Sequence, residues 1–196
     1  MAYYTLDAFE VYGKKNHDYL KYVVEEIRAK RDTMPHKKSL RRNYDSKVGI
    51  FPCRSFNLGN QSASYPHVDE KNLAQSWCSI TALGQFNPDL GGHFVLWDFK
   101  LFIRFPPGST ILIPSALFCH SNTAIQPEEK RHSIVQYAAG GLARWVDYDQ
   151  MTEVEWHAQA TSVKIQEKNR KKKTRWVDAV GLYTVYIPGK GLVTSE

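Results

Sequence analysis

His67, Asp69, His120 and Arg131 are the residues of this chain whose types and order could do redox chemistry. Two imidazoles and one carboxylate bind one face of a non-haem Fe(II) and leave the opposite coordination positions open for oxygen and a chelating cosubstrate. His67 and Asp69 stand at i and i+2, so on a strand they share a face and reach one ion. His120 must then come from another strand. Arg131, Ser133, Val135 and Tyr137 alternate along 131–137 and fall on one face of a further predicted strand. A guanidinium with a hydroxyl two residues on can hold a carboxylate, because its planar fork matches two oxygens and keeps its charge at any working pH. The distal carboxylate of 2-oxoglutarate fits that description. Taken singly, each residue has an ordinary reading: a core histidine, a turn-capping aspartate, an arginine in a surface ion pair. His93, after Gly91-Gly92, competes as the distal ligand but lacks a basic residue on a strand shortly downstream.

These groups need a scaffold that brings distant strands together. The apolar segments 94–97 and 101–105, joined around Asp98, predict a hairpin, and Pro106-Pro107-Gly108-Ser109 predicts a tight turn after it. The β-branched run 110–114 predicts a strand leading to His120, and strands are expected to begin near 48–51. Asn57, on the strand-like 56–58, is a candidate cosubstrate contact or a buried structural amide. Winding these strands into a double-stranded β-helix would converge the ligands. Upstream, Leu20, Val23, Val24 and Ile27 give 16–31 the spacing of an amphipathic helix that would brace the sheet, and 33–46 reads as a polar, basic connector. Downstream, 152–168 predicts a helix and 182–187 a final strand. The expected fold is mainly β with flanking helices, α+β, around a jelly-roll core.

The run His67-Val68-Asp69-Glu70-Lys71-Asn72 has the form His-x-Asp-x-x-Asn. It is followed in order by Trp77-Cys78-Ser79-Ile80-Thr81-Ala82-Leu83-Gly84, Gly91-Gly92, Pro107-Gly108, His120 and Arg131-x-Ser133. Over 49–146 this resembles the TET/JBP family of Fe(II)- and 2-oxoglutarate-dependent nucleic-acid base oxygenases, particularly its compact fungal members. The metal-and-cosubstrate pattern belongs to the wider oxygenase superfamily; Asn72 and the glycine-rich middle point to this branch. The resemblance implies Fe(II) ligation by His67, Asp69 and His120, and 2-oxoglutarate binding by Arg131 with Ser133. It also implies contact of Asn72 with a flipped base, in methylated duplex DNA or in RNA. Tyr137 matches a position beside the base, where a ring would stack, and a core tyrosine is its other reading. Ala139 stands where cytosine-oxidising members commonly carry histidine, which opens the choice between 5-methylcytosine and N6-methyladenine.

The chain of 196 residues carries a formal net charge of +6. Length and a 42% hydrophobic content fit a single catalytic domain over 1–196: a basic helical flank at 1–47, a β-helix core at 48–146 and an extension at 147–196. Most of the five tryptophans are expected in packing. The positive excess gathers at 28–47 and in the basic loop 164–175, which holds Arg170, Lys171, Lys172, Lys173 and Arg175 and is assigned no fixed conformation. Clustered cations track phosphates, and the same composition serves a solvated loop or a nuclear-localisation signal. Arg144 is a further cation without a motif. Cys53, Cys78 and Cys119 lack disulfide or zinc spacing, which fits a reducing compartment. No apolar run nears the roughly eighteen residues of a membrane span, and no signal pattern opens the chain. The expectation is therefore a soluble, intracellular protein, and a nuclear one. Two other classes remain open: an oxygenase of the same fold acting on protein or a small molecule, and a non-catalytic nucleic-acid-binding module.

Overall fold

The computed structural model of the protein describes residues 8–33, 49–189 and 191–194. The connector and most of the first basic cluster expected at 28–47 lie outside the described residues. The chain divides into two compact units, one spanning 51–139 and the other formed by 1–50 with 140–196.

The 51–139 unit is built from seven strands: β1 (Cys53–Asn57), β2 (Cys78–Gln85), β3 (Phe94–Leu96), β4 (Leu101–Ile103), β5 (Thr110–Ile113), β6 (His120–Asn122) and β7 (Lys130–Tyr137). They form two antiparallel sheets, a larger one in the order β1-β7-β2-β5 and a smaller one in the order β4-β3-β6. His67 adds a rung to the smaller sheet through a bridge to His120. Successive segments thus alternate between the sheets, apart from the β3–β4 hairpin, which is the topology of a double-stranded β-helix. Cys78, Ile80 and Ala82 alternate along β2 and point one way into the core, where Phe94, Phe105 and Ile113 meet them. Burial pushes the Cys78 thiol up to about 12, so it packs as a small apolar residue.

The hairpin expected around Asp98 forms, with a short 3-10 turn (Trp97–Phe99) and Lys100 in the left-handed region at φ 53°. Two expectations are corrected in this unit. Among the described residues the first strand begins at Cys53, after Phe51 and Pro52, a few residues later than expected. His67 and Asp69 do not lie on a strand: only His67 is bridged, because the Asp69 amide donates to the Ser115 carbonyl and the chain turns at Asn72, whose amide returns to the Asp69 carbonyl.

Gly84 sits opposite Arg131 in the β2–β7 ladder with φ 117°, and a Cβ there would overlap the Lys130 carbonyl. Gly84→Ala is expected to destabilise the unit by more than about 1 kcal/mol, since alanine suits neither that φ nor that space. A lowered urea midpoint at an unchanged slope is the expected reading; an unchanged midpoint would contradict the close approach.

The other unit carries α1 (Lys14–Thr33), α2 (Gly140–Asp147), α3 (Glu153–Gln159), α4 (Ser162–Val180) and the hairpin of β8 (Thr184–Ile187) with β9 (Gly191–Thr194). Leu20, Val23 and Val24 are the buried stripe of α1, which packs on α2. The helix expected at 152–168 is two helices. Thr152 and Glu155 form a reciprocal capping box at the start of α3, and Thr161 caps α4. The basic stretch 164–175 is not a loop but the body of α4: it contains neither Gly nor Pro, and Lys, Arg, Gln and Glu are good helix formers. Lys168 lies 3.5 Å from the centroid of the Tyr148 ring, which anchors that helix by a cation–π contact. The strand at 182–187 is not the last, because β9 pairs with it. Trp156 is buried, whereas Trp176 is exposed and Trp97 half-exposed, so not every tryptophan is packing.

Candidate metal and cosubstrate site

His67, Asp69 and His120 converge at one end of the β-helix, with their donor atoms all within 4.8 Å of one another. His67 Nε2 lies 3.6 Å from Asp69 Oδ1, and the two imidazoles approach to 4.4 Å between centroids. The backbone makes this possible: the amides of His67 and His120 donate to each other's carbonyls, which locks the two ligands side by side.

Each ring is held so that one nitrogen faces the common point. His67 Nδ1 donates to the Tyr65 carbonyl at 2.7 Å, and His120 Nδ1 to the Phe118 carbonyl at 2.9 Å. In this tautomer both Nε2 atoms carry the lone pair a metal needs. Phe94 stacks on His120 at 5.7 Å between centroids and 21° between planes. Burial, with His67 adding to it, pushes His120 below the usual imidazole range despite the Phe118 carbonyl and Asp69, and so keeps it in the neutral, ligating form. On Asp69 one oxygen is occupied: Asn72 Nδ2 donates to Oδ2 at 3.0 Å and to the Ser115 hydroxyl at 3.2 Å. Asp69 Oδ1 stays with the imidazoles.

Arg131 is the largest fully buried side chain of the described residues, at 1% exposure. Its Nη1 donates to the Ser62 carbonyl at 2.8 Å, while Nε and Nη2 have no partner among the described residues. Burial lowers its pKa, and among the described residues no carboxylate acts against that. Ser133, on the same face of β7, accepts from Asn57 Nδ2 at 2.8 Å, so its own hydroxyl proton can be donated elsewhere. These groups line one cavity of about 490 Å³, together with the three metal-type donors, Asn72 and Tyr137.

The residues present fit an Fe(II) ion with 2-oxoglutarate. The donor set is two imidazoles and a carboxylate with their outward atoms already tied back, and the buried guanidinium keeps two donors without a partner among the described residues.

His67, Asp69, His120, Arg131, Ser133, Asn57, Asn72 and Tyr137 all line this cavity, and the cations expected at phosphates do not. Asn57 braces Ser133, and Asn72 holds the Asp69 carboxylate through its Nδ2, which leaves the Asn72 side-chain oxygen outside that bond. Tyr137 lines the cavity and has its hydroxyl 3.5 Å from Ser55 Oγ. His93, the competing candidate, takes no part in the cluster; its Nδ1 lies 3.2 Å from the Thr123 hydroxyl. Ser115, Phe94, Ser62 and Asn122 are not legible as site residues from the sequence. Arg170, Lys171, Lys173 and Arg175 are exposed on α4, and Lys172 stands 3.7 Å from Glu153. No described helix is long and apolar enough to cross a membrane.

No protein-family model matches the chain, and no curated protein sequence matches it. Among solved structures it is similar to NgTET1 in complex with 5mC DNA, at 18% identity and a TM-score of 0.42, over 64% of this chain and 52% of that one. It is also similar to the viral collagen prolyl hydroxylase vCPH from Paramecium Bursaria Chlorella virus-1 in its 2OG complex. There the identity is 14% and the TM-score 0.32, over 59% of this chain and 73% of that one. The chain thus spans about half the length of the NgTET1 chain it matches.

Proposed function

We propose that this protein is an Fe(II)- and 2-oxoglutarate-dependent dioxygenase that oxidises a methylated base in DNA, 5-methylcytosine or N6-methyladenine. One observation carries the cosubstrate half of the reading. A buried guanidinium with two unpartnered donors lines the same cavity as a two-histidine, one-aspartate cluster, and no carboxylate of the described residues serves it. A dicarboxylate that chelates the metal at one end and pairs with Arg131 at the other satisfies both groups at once.

Fe(II) with 2-oxoglutarate and oxygen supplies the oxidising power, yielding succinate, carbon dioxide and a hydroxylated methyl group, which on nitrogen departs as formaldehyde. The chain's own residues bind and orient. His67, Asp69 and His120 fix one face of the ion, the Tyr65 and Phe118 carbonyls hold the rings, and Asn72 holds the carboxylate. Phe94, Ile80 and Val135 give the cavity an apolar wall beside these groups.

The nucleic-acid half is supported by the His-x-Asp-x-x-Asn pattern and by the cations along α4. Asn72 and Tyr137 then face the flipped base, while Arg170, Lys171, Lys173 and Arg175 contact phosphates; the same basic run would serve nuclear import. Replacing those four with alanine is expected to weaken DNA binding and to flatten its salt dependence. The slope of log K against log salt should fall by about 0.9 for each phosphate that the helix no longer neutralises. An unchanged slope would remove α4 from the DNA interface.

The substrate is tested by mass spectrometry of nucleosides. Duplex DNA carrying 5-methylcytosine or N6-methyladenine is incubated with protein, Fe(II), 2-oxoglutarate and ascorbate. Oxidised or demethylated base is expected from one of the two. Unchanged DNA accompanied by uncoupled succinate would point instead to RNA, protein or small molecules as substrate.

A further inference from the structure

Resting on the cosubstrate reading above, we infer that Asn122 is an additional 2-oxoglutarate contact, its side-chain Nδ2 donating to the ligand between the guanidinium and the metal.

Three hydrogen-bonded rungs along residues 60–67 place Asn122 there. At one end the Arg131 amide donates to the Asn60 carbonyl, and Arg131 Nη1 donates to the Ser62 carbonyl. At the other end His67 and His120 exchange backbone bonds. Between them the Asn122 amide donates to the Ser64 carbonyl at 3.2 Å, and the Ser64 hydroxyl donates to Asn122 Oδ1, also at 3.2 Å. The segment therefore runs from the anion-binding end to the metal end, with Asn122 as its middle rung.

Asn122 lies two residues past His120 on β6, so the two side chains share a strand face, and both line the cavity. The Ser64 hydroxyl fixes which way the amide points. Asn122 Nδ2 is buried and has no partner among the described residues. A buried amide donor left unmade is costly, and a bound ligand with acceptor oxygens removes that cost. A dicarboxylate stretched from Arg131 to the metal passes this donor.

The test is calorimetric titration of 2-oxoglutarate into the full chain loaded with Mn(II), which needs no turnover. Asn122→Ala is expected to weaken binding about tenfold, or 1.4 kcal/mol, and Asn122→Asp to weaken it further, because it sets a carboxylate against a dicarboxylate. Ser64→Ala, which only frees the amide to rotate, should weaken binding in the same direction by less, and the double variant should match Asn122→Ala alone. The KM for methylated oligonucleotide should stay unchanged. Wild-type affinity in both Asn122→Ala and Ser64→Ala would overturn the inference, as would a rise confined to the oligonucleotide KM. A wild-type protein that binds no 2-oxoglutarate would overturn the cosubstrate reading itself, and this inference with it.

Discussion

His67→Ala is expected to abolish iron-dependent turnover while leaving the fold near intact. The side chain of His67 is 42% exposed, and the hydrogen bonds that His67 itself makes to β6 come from its backbone, so removing the imidazole leaves the β-helix pairing in place. What it removes is one of three donors. Groups that merely orient a metal ligand typically account for about 10–100-fold in metal affinity or activity, so loss of a ligand should exceed that range. Iron content after gel filtration, succinate formation and thermal melting check the three parts of this expectation. Retained iron and full turnover would undo the metal assignment, and a collapsed melting transition would show that His67 supports the fold.

Arg131→Met should separate stability from function, and in opposite directions. The guanidinium is buried, makes one hydrogen bond through Nη1 and leaves two donors without partners among the described residues. An apolar side chain of similar length avoids that desolvation; even whole buried ion pairs replaced by apolar residues commonly leave stability neutral or raised by about 1–4 kcal/mol, and here no paired charge is given up among the described residues. A gain near 1 kcal/mol would raise Tm by roughly 2–4 °C in a chain of this size. The same change removes the partner of the dicarboxylate, and truncating one side of a buried charge pair costs about 2–5 kcal/mol, or at least thirtyfold in affinity. In the wild type, 2-oxoglutarate should raise Tm; in Arg131→Met it should not. A variant that melts well below wild type and still binds 2-oxoglutarate would make Arg131 a structural residue.

The candidate triad is legible in the sequence because its residues are few, chemically distinctive and separated by segments whose alternation and breakers mark strands. Arg131 and Ser133 are legible for the same reason, since their alternation on a strand face does not depend on tertiary context. The positioning groups are not. Ser115 meets Asn72 only because the chain turns after Asp69, and Asn122 meets Ser64 only because residues 60–67 run alongside both β7 and β6. Such contacts between segments far apart in sequence leave no mark on local pattern. The i and i+2 spacing of His67 and Asp69 suits a strand, yet the bond from the Asp69 amide to Ser115 draws the chain away after a single rung. The charge of 164–175 suggests a mobile loop, whereas its helix-forming residues behind the Thr161 cap decide the conformation. The second strand of the last hairpin, β9, is hidden by its shortness and by Gly189 and Gly191, both in the left-handed region.

Succinate formed from 2-oxoglutarate under air, with Fe(II) and ascorbate, in wild type and in Asp69→Ala, tests the iron and cosubstrate assignment most directly. Succinate is expected to require Fe(II), to saturate with 2-oxoglutarate and to be lost in the variant. Absence of succinate from iron-loaded wild type, with and without methylated DNA, or equal formation by Asp69→Ala, would contradict the assignment.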